Sequence, residues 1–175
     1  VYNPLESIKT VSIKGYNMAT KTLSANNPTV AEIPQFSFLT SPKKDIYLFT
    51  NLGNCIKINV GVINQAKYKD KGAYLNAYCG KPLQTNEKVV SILELNESNK
   101  DDTLIFVTKN SMVKVAKVEE YCASKQTISA IKLKDDELLY VAHNIDDAQL
   151  VMFSRTGMSV VVDKKDIAPS GRLSM

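Results

Sequence analysis

Four apolar runs in this chain end in the same short device: a hydroxyl residue, two variable residues, then Gly or Ser. They are Ser12-Ile13-Lys14-Gly15, Thr50-Asn51-Leu52-Gly53, Thr108-Lys109-Asn110-Ser111 and Ser154-Arg155-Thr156-Gly157. The runs before them, Ile8 to Val11, Ile46 to Phe49, Leu104 to Val107 and Leu150 to Phe153, are short and nearly continuous in apolarity. That pattern suits strands buried on both faces. An internal repeat of this kind limits the possible architectures before any single residue is interpreted.

Strand, four-residue turn ending in Gly, strand is the pattern of a β-hairpin, in which Gly supplies the positive φ at the turn exit. Ser111 departs from it, and Asn110 is expected to take the left-handed position there, since Asn tolerates it better than most residues. After the turns come Cys55 to Ile58, Met112 to Val115 and Ser159 to Val162. In the first two, Lys57 and Lys114 alternate with aliphatic residues, which predicts partly exposed strands with both lysines turned outward. A second repeat follows. Glu87-Lys88 opens into Val89 to Leu93 as Asp136-Glu137 opens into Leu138 to Val141, and Ile128 to Leu133 alternates as one more strand.

Each repeat thus offers about four strands, the content of a propeller blade. The final turn positions lie 38, 58 and 46 residues apart, the spacing of blade repeats. Segments near Val62–Ala66 and Val118–Tyr121 have room for a single helical turn each. The expected fold is all-β, with about three to four blade units at roughly 1–40, 41–99, 100–145 and 146–175, forming an incomplete or open disc.

A chain of 175 residues has room for one domain with a substantial core or a few small repeats. No apolar stretch approaches the roughly 20 residues of a membrane span, and the N-terminus lacks the pattern of a secretion signal. Starting at Val1 rather than Met is expected of a piece of a longer protein. Cys55, Cys79 and Cys122 form no CxxC pair and His143 is the only histidine, which argues against a zinc site and for free thiols in a reducing cytosol. The net charge of +4 is uneven: residues 1–99 carry eleven lysines against seven acids, while residues 100–175 balance.

The stretch Leu104-Ile-Phe-Val-Thr-Lys-Asn-Ser-Met-Val-Lys-Val115, followed by Val118-Glu-Glu-Tyr121, resembles a blade from the C-terminal domain of bacterial type IIA topoisomerase A subunits, the family of DNA gyrase and topoisomerase IV. Phe49-Thr-Asn-Leu-Gly-Asn-Cys-Ile-Lys-Ile58 is similar to the same hairpin. Lys71-Gly72 and Glu87-Lys-Val-Val90 stand where the family's next strands begin. Ser154-Arg-Thr-Gly-Met-Ser159 with Lys165-Asp-Ile-Ala-Pro-Ser-Gly-Arg172 resembles a third blade, so the likeness runs from about Val11 to Arg172.

The resemblance implies a β-pinwheel, a propeller-like disc with strands exchanged between blades, whose basic rim binds and bends duplex DNA. The gyrase-type Gln-Arg-Arg-Gly-Gly-Lys-Gly box is absent, and the basic stretch Lys67 to Gly72 lies elsewhere in the blade pattern. Topoisomerase IV-like behaviour is therefore favoured over gyrase. The resemblance further implies a non-catalytic module without cofactor or metal of its own. The catalytic Tyr would lie outside the chain, and ATP and Mg²⁺ would act elsewhere in the holoenzyme. Expected partners are duplex DNA, the remainder of the topoisomerase A polypeptide, plus its ATPase subunit, in the bacterial cytoplasm at the nucleoid, away from membranes.

Duplex binding of this type needs Lys and Arg along a curved edge, because phosphate neutralisation and counterion release supply most of the affinity. Candidates at turns or outward strand positions are Lys14, Lys57, Lys109, Lys114 and Arg155. Lys43 and Lys44 precede the second hairpin, Lys67, Lys69 and Lys71 form the densest run, and Arg172 closes the final motif. Such contacts position DNA without reading its sequence. The acidic groups Asp101-Asp102, Asp135-Asp136-Glu137 and Asp146-Asp147 are read as solvated turns and His143 as a structural or surface residue. Tyr47, Tyr74, Tyr78 and Tyr121 are expected to pack within blades with their hydroxyls at the surface. The competing function is a propeller-like protein–protein interaction module, with the rim lysines serving only solubility.

Overall fold

The computed structural model describes residues 1–3, 6–23, 34–95, 102–144 and 149–174; Asp101, Asp146 and Asp147 lie outside them. Among the described residues, twelve strands follow in chain order, with one α-helix. They are β1 (Tyr2–Asn3), β2 (Ser7–Ile8), β3 (Asp45–Thr50), β4 (Asn54–Asn59), β5 (Ala73–Tyr74), β6 (Val89–Glu94), β7 (Thr103–Thr108), β8 (Val113–Lys117), β9 (Thr127–Ser129), β10 (Leu138–His143), β11 (Gln149–Phe153) and β12 (Ser159–Asp163). The helix α1 spans Ile13–Leu23. The strands form small antiparallel sheets ordered β1-β2-β5, β6-β3-β4-β9 and β10-β7-β8, and the hairpin β11-β12. The fold is all-β, and strands are exchanged: β5 joins β2 and β9 joins β4 from well downstream. Single 3₁₀ turns follow β4, β8 and β12 at Val60–Val62, Val118–Glu120 and Lys164–Asp166.

Three of the four repeated turns are hairpins with one hydrogen-bond plan. The N–H of the fourth residue donates to the carbonyl of the first: Gly53 to Thr50 (2.9 Å), Ser111 to Thr108 (3.0 Å), Gly157 to Ser154 (3.0 Å). The next N–H donates to the side-chain hydroxyl of the first: Asn54 to Thr50 (3.2 Å), Met112 to Thr108 (3.2 Å), Met158 to Ser154 (3.0 Å). Gly53 and Gly157 take positive φ, and so does Ser111 itself at 64°, not Asn110 as expected.

Ser12-Ile13-Lys14-Gly15 is no hairpin. Ser12 caps α1, its hydroxyl accepting from the Gly15 N–H (3.2 Å), as a side chain preceding a helix does. The strand expected from Ile8 to Val11 accordingly stops at Ile8.

Two apolar clusters lie against opposite faces of β3. Ile46 and Leu48 join Tyr2, Ile8, Ile56, Ile58, Leu75 and Ile92 on one side. Tyr47 and Phe49 join Leu104, Phe106, Tyr121 and Leu138 on the other. Period-two alternation sends successive side chains to opposite faces, and here both are covered, so β3 is apolar throughout. Phe49, Phe106 and Tyr121 meet at ring-centroid distances of 5.4 to 5.8 Å. The similar run in β11 has no such cover. Its residues are half-buried or exposed, and Phe153 is 77% exposed.

Candidate nucleic-acid interface

The densest basic run becomes a fixed loop. The chain reaches it through a parallel bridge between Thr10 and Gln65. A tight turn follows, in which the Asp70 N–H donates to the Lys67 carbonyl (3.1 Å) and the Lys67 N–H to the Asp70 carboxylate (2.9 Å). Gly72, at a φ of 75°, passes against β2, where an added Cβ would lie 2.9 Å from the Ile8 carbonyl oxygen. Lys67, Lys69 and Lys71 are exposed on this loop, and Lys71 Nζ donates to the Tyr74 hydroxyl (3.0 Å). Helix α1, with exposed Lys14 in its first turn, meets the loop through Tyr16 on Tyr68 (5.6 Å between centroids).

Beneath the loop lies Lys9, a buried residue absent from the sequence-based candidates. Its ammonium donates to the Tyr68 and Asp70 carbonyls and sits 5.5 Å from the Tyr68 ring. Burial lowers its pKa against the opposing pull of Asp70.

Lys114 is placed the same way. It was expected to face outward, but it is only 6% exposed and donates to the carbonyls of Arg172 (2.5 Å) and Ser174 (3.1 Å). An alternating strand turns a charged residue outward only when nothing polar covers it, and here the chain after β12 does. Burial also lowers its pKa, with Glu120 opposing.

The other candidates divide by their partners. Lys44 pairs with Glu94, Lys57 with Asp45 (3.4 Å) and Lys109 with Glu137 (3.2 Å). Arg172 is half-buried, its guanidinium donating to the Ser129 carbonyl. Of the sequence-based candidates, Lys14, Lys43, Lys67, Lys69, Lys71 and Arg155 are exposed and have no acidic partner within salt-bridge distance among the described residues. Three of these six belong to the one fixed loop.

The acids that open β6 and the segment before β10 hold the turns rather than simply facing water. Buried Glu87 accepts from the Thr50 hydroxyl (2.7 Å), Asn54 Nδ2 (2.7 Å) and the Gln84 N–H (3.2 Å). Asp136 accepts from the N–H groups of Asn110 (3.0 Å) and Glu137 (2.8 Å). Its partial burial works to raise its pKa, but hydrogen bonds from Thr108, Glu137 and Asn110, with Lys109 nearby, hold it below the usual carboxylate range.

The Tyr121 hydroxyl is buried rather than at the surface. It donates to the Ala130 carbonyl (3.1 Å), and burial pushes its pKa far up. His143 Nε2 donates to the Glu94 carbonyl (3.2 Å). Lys9 had a sequence signal: Ile8-Lys9-Thr10 repeats the aliphatic-Lys-β-branched pattern of Ile56-Lys57-Ile58 and Val113-Lys114-Val115.

Comparison with known proteins bears on the whole arrangement. The family model for the DNA gyrase C-terminal domain, a β-propeller, matches residues 44–96 and 102–141, over half of the chain. Among curated relatives, the DNA gyrase A subunit of Clostridium acetobutylicum is 29% identical over 77% of this chain and 16% of its own length. The DNA topoisomerase 4 A subunit of Staphylococcus epidermidis is 23% identical over 95% of this chain and 22% of its own length. The chain therefore spans a small part of the relatives it matches. A solved C-terminal domain of DNA topoisomerase IV shares the fold at a TM-score of 0.79, with 22% identity over 95% of this chain and 51% of that one. A DNA gyrase A C-terminal domain shares it at 0.55, with 17% identity over 77% of this chain and 42% of that one.

Proposed function

The chain belongs to the DNA gyrase C-terminal domain family, and from that premise we propose that it is a non-catalytic module that binds and bends duplex DNA within a type IIA topoisomerase A subunit. The observation that carries the reading is the loop at 67–71, where three exposed lysines without carboxylate partners ride on a backbone fixed to the neighbouring sheet. Exposed Lys14, Lys43 and Arg155 extend the set of cations available to phosphates. Contacts of this kind carry affinity rather than sequence preference, and bending would make binding sensitive to DNA shape. The absent Gln-Arg-Arg-Gly-Gly-Lys-Gly box favours topoisomerase IV-like bending over gyrase-like wrapping. Strand cleavage, ATP and Mg²⁺ belong in this reading to other parts of the holoenzyme, which would act at the nucleoid of the bacterial cytoplasm.

Replacing Lys67, Lys69 and Lys71 together by Glu tests it. Titration of a labelled duplex at several salt concentrations should show binding weakened by about tenfold or more, with a salt slope shallower by roughly 2 to 3. The variant binding as the parent does, with the same salt slope, would refute the reading. It would favour a protein–protein interaction module in its place.

A further inference from the structure

Lys9 and Lys114 occupy the same place in two different repeats. Each immediately precedes a residue in a parallel bridge, Thr10 to Gln65 and Val115 to Pro169. The bridges are completed by matching backbone bonds, Ala66 N–H to the Thr10 carbonyl (2.9 Å) and Ser170 N–H to the Val115 carbonyl (2.8 Å). From Gln65 the carbonyls that receive Lys9 come three and five residues on, at Tyr68 and Asp70. From Pro169 those that receive Lys114 come at the same offsets, Arg172 and Ser174. Two lysines more than a hundred residues apart thus clamp two loops by one plan. Both loops carry cations: Lys67, Lys69 and Lys71 on the first, Arg172 on the second.

We propose that Lys9 and Lys114 are positioning residues, inter-repeat clamps that hold these two loops in a fixed shape, which on the first loop presents Lys67, Lys69 and Lys71 to DNA phosphates. The proposal rests on the duplex-binding reading above for its consequence, but not for its geometry. An ammonium has three donors and no acceptor, so it can satisfy two converging carbonyls at once, and the long aliphatic stem reaches them from inside the sheet. Lys57, in the matching sequence pattern, is not placed this way: its N–H donates to the Gln126 carbonyl (2.7 Å) and its side chain turns to Asp45.

Lys9→Met and Lys114→Met, each with its Lys→Arg counterpart, test the clamp in the 175-residue chain. Without DNA, hydrogen exchange should quicken about tenfold or more at residues 67–72 in K9M and at 171–174 in K114M, while the β3 amides keep their protection. With a labelled duplex, K9M should bind several-fold more weakly and with a shallower salt slope. K9R, which keeps donors and charge, should recover loop protection and affinity together. Unchanged loop protection in both Met variants overturns the proposal. An affinity loss in K9M with the loop still protected overturns it too, since Lys9 would then act only as a charge. If K9M does not fold, K114M decides by the same exchange criterion. If the parent chain does not bind duplex DNA, the functional reading fails while the exchange result still judges the clamp.

Discussion

Burial pushes the Cys55 thiol from its usual 9.0 to about 12, with neighbouring Cys122 adding to the rise and Arg172 opposing it. Burial likewise takes Cys79 to about 11 and Tyr2 to about 12. A group with a raised pKa in the folded state loses its proton first in the unfolded chain. Its contribution is complete below the unfolded value and drains away as pH climbs to the folded one. For Cys55 that window runs from 9.0 to about 12. Lys9 and Lys114 act with the opposite sign, because their pKa values are lowered and the unfolded chain holds those protons longer. Comparing parent with Cys55→Ala isolates the thiol. In urea denaturation from pH 8 upward, the variant should start less stable and lose stability less steeply than the parent, and equal slopes would refute the assignment. Single residues also mark where sequence reasoning stopped. Lys114 looked outward because a charge in an alternating strand is normally solvated. The carbonyls that receive it lie 58 and 60 residues away, a relation that no local pattern encodes.

At the scale of elements, the hydroxyl-x-x-Gly device was legible as a turn, and its hydrogen bonds explain why the first residue carries a hydroxyl. The same device caps a helix at Ser12, because in both settings a side-chain oxygen receives an N–H three or four residues ahead. What separates the outcomes is the sequence that follows. After Gly15 comes Tyr16 to Leu23 without the alternation that continues the other three, and the chain goes on turning. Two of the hairpin glycines differ in their surroundings. Gly53 is buried, and a Cβ there would lie 2.9 Å from the Ile131 carbonyl oxygen, whereas at Gly157 none would meet anything within 4 Å. Both have positive φ, which costs an L-residue roughly 1–2 kcal/mol. Gly157→Ala should therefore lower stability by about 1–2 kcal/mol. Gly53→Ala should cost more, by about 1–3 kcal/mol of added crowding. Chemical denaturation of the two variants side by side checks the order, and equal losses would contradict it.

At the scale of the whole molecule, the core lies between sheets rather than within any one of them, and the same apolar pattern has different consequences along the stack. Phe106, fully buried between Phe49 and Tyr121, should cost about 3–5 kcal/mol when replaced by Ala. Phe153, of similar sequence context but exposed on β11, should change stability by no more than about 0.5 kcal/mol. Thermal or urea unfolding of Phe106→Ala and Phe153→Ala measures both, and a large loss for Phe153→Ala would mean that its face is covered in solution. The sequence by itself determined the all-β class, most of the strands in β3, β4, β6 to β8 and β10 to β12, the turn positions, and the family likeness. These depend on period-two alternation, β-branched residues and turn chemistry, all of which act over a few neighbouring residues. Only the tertiary structure decided that β5 and β9 join sheets begun far upstream, that Glu87 and Asp136 hold turns, and that Lys9 and Lys114 face inward beneath loops. Each of those results depends on groups brought together across tens of residues, where the identity of the partner is set by packing and not by local pattern.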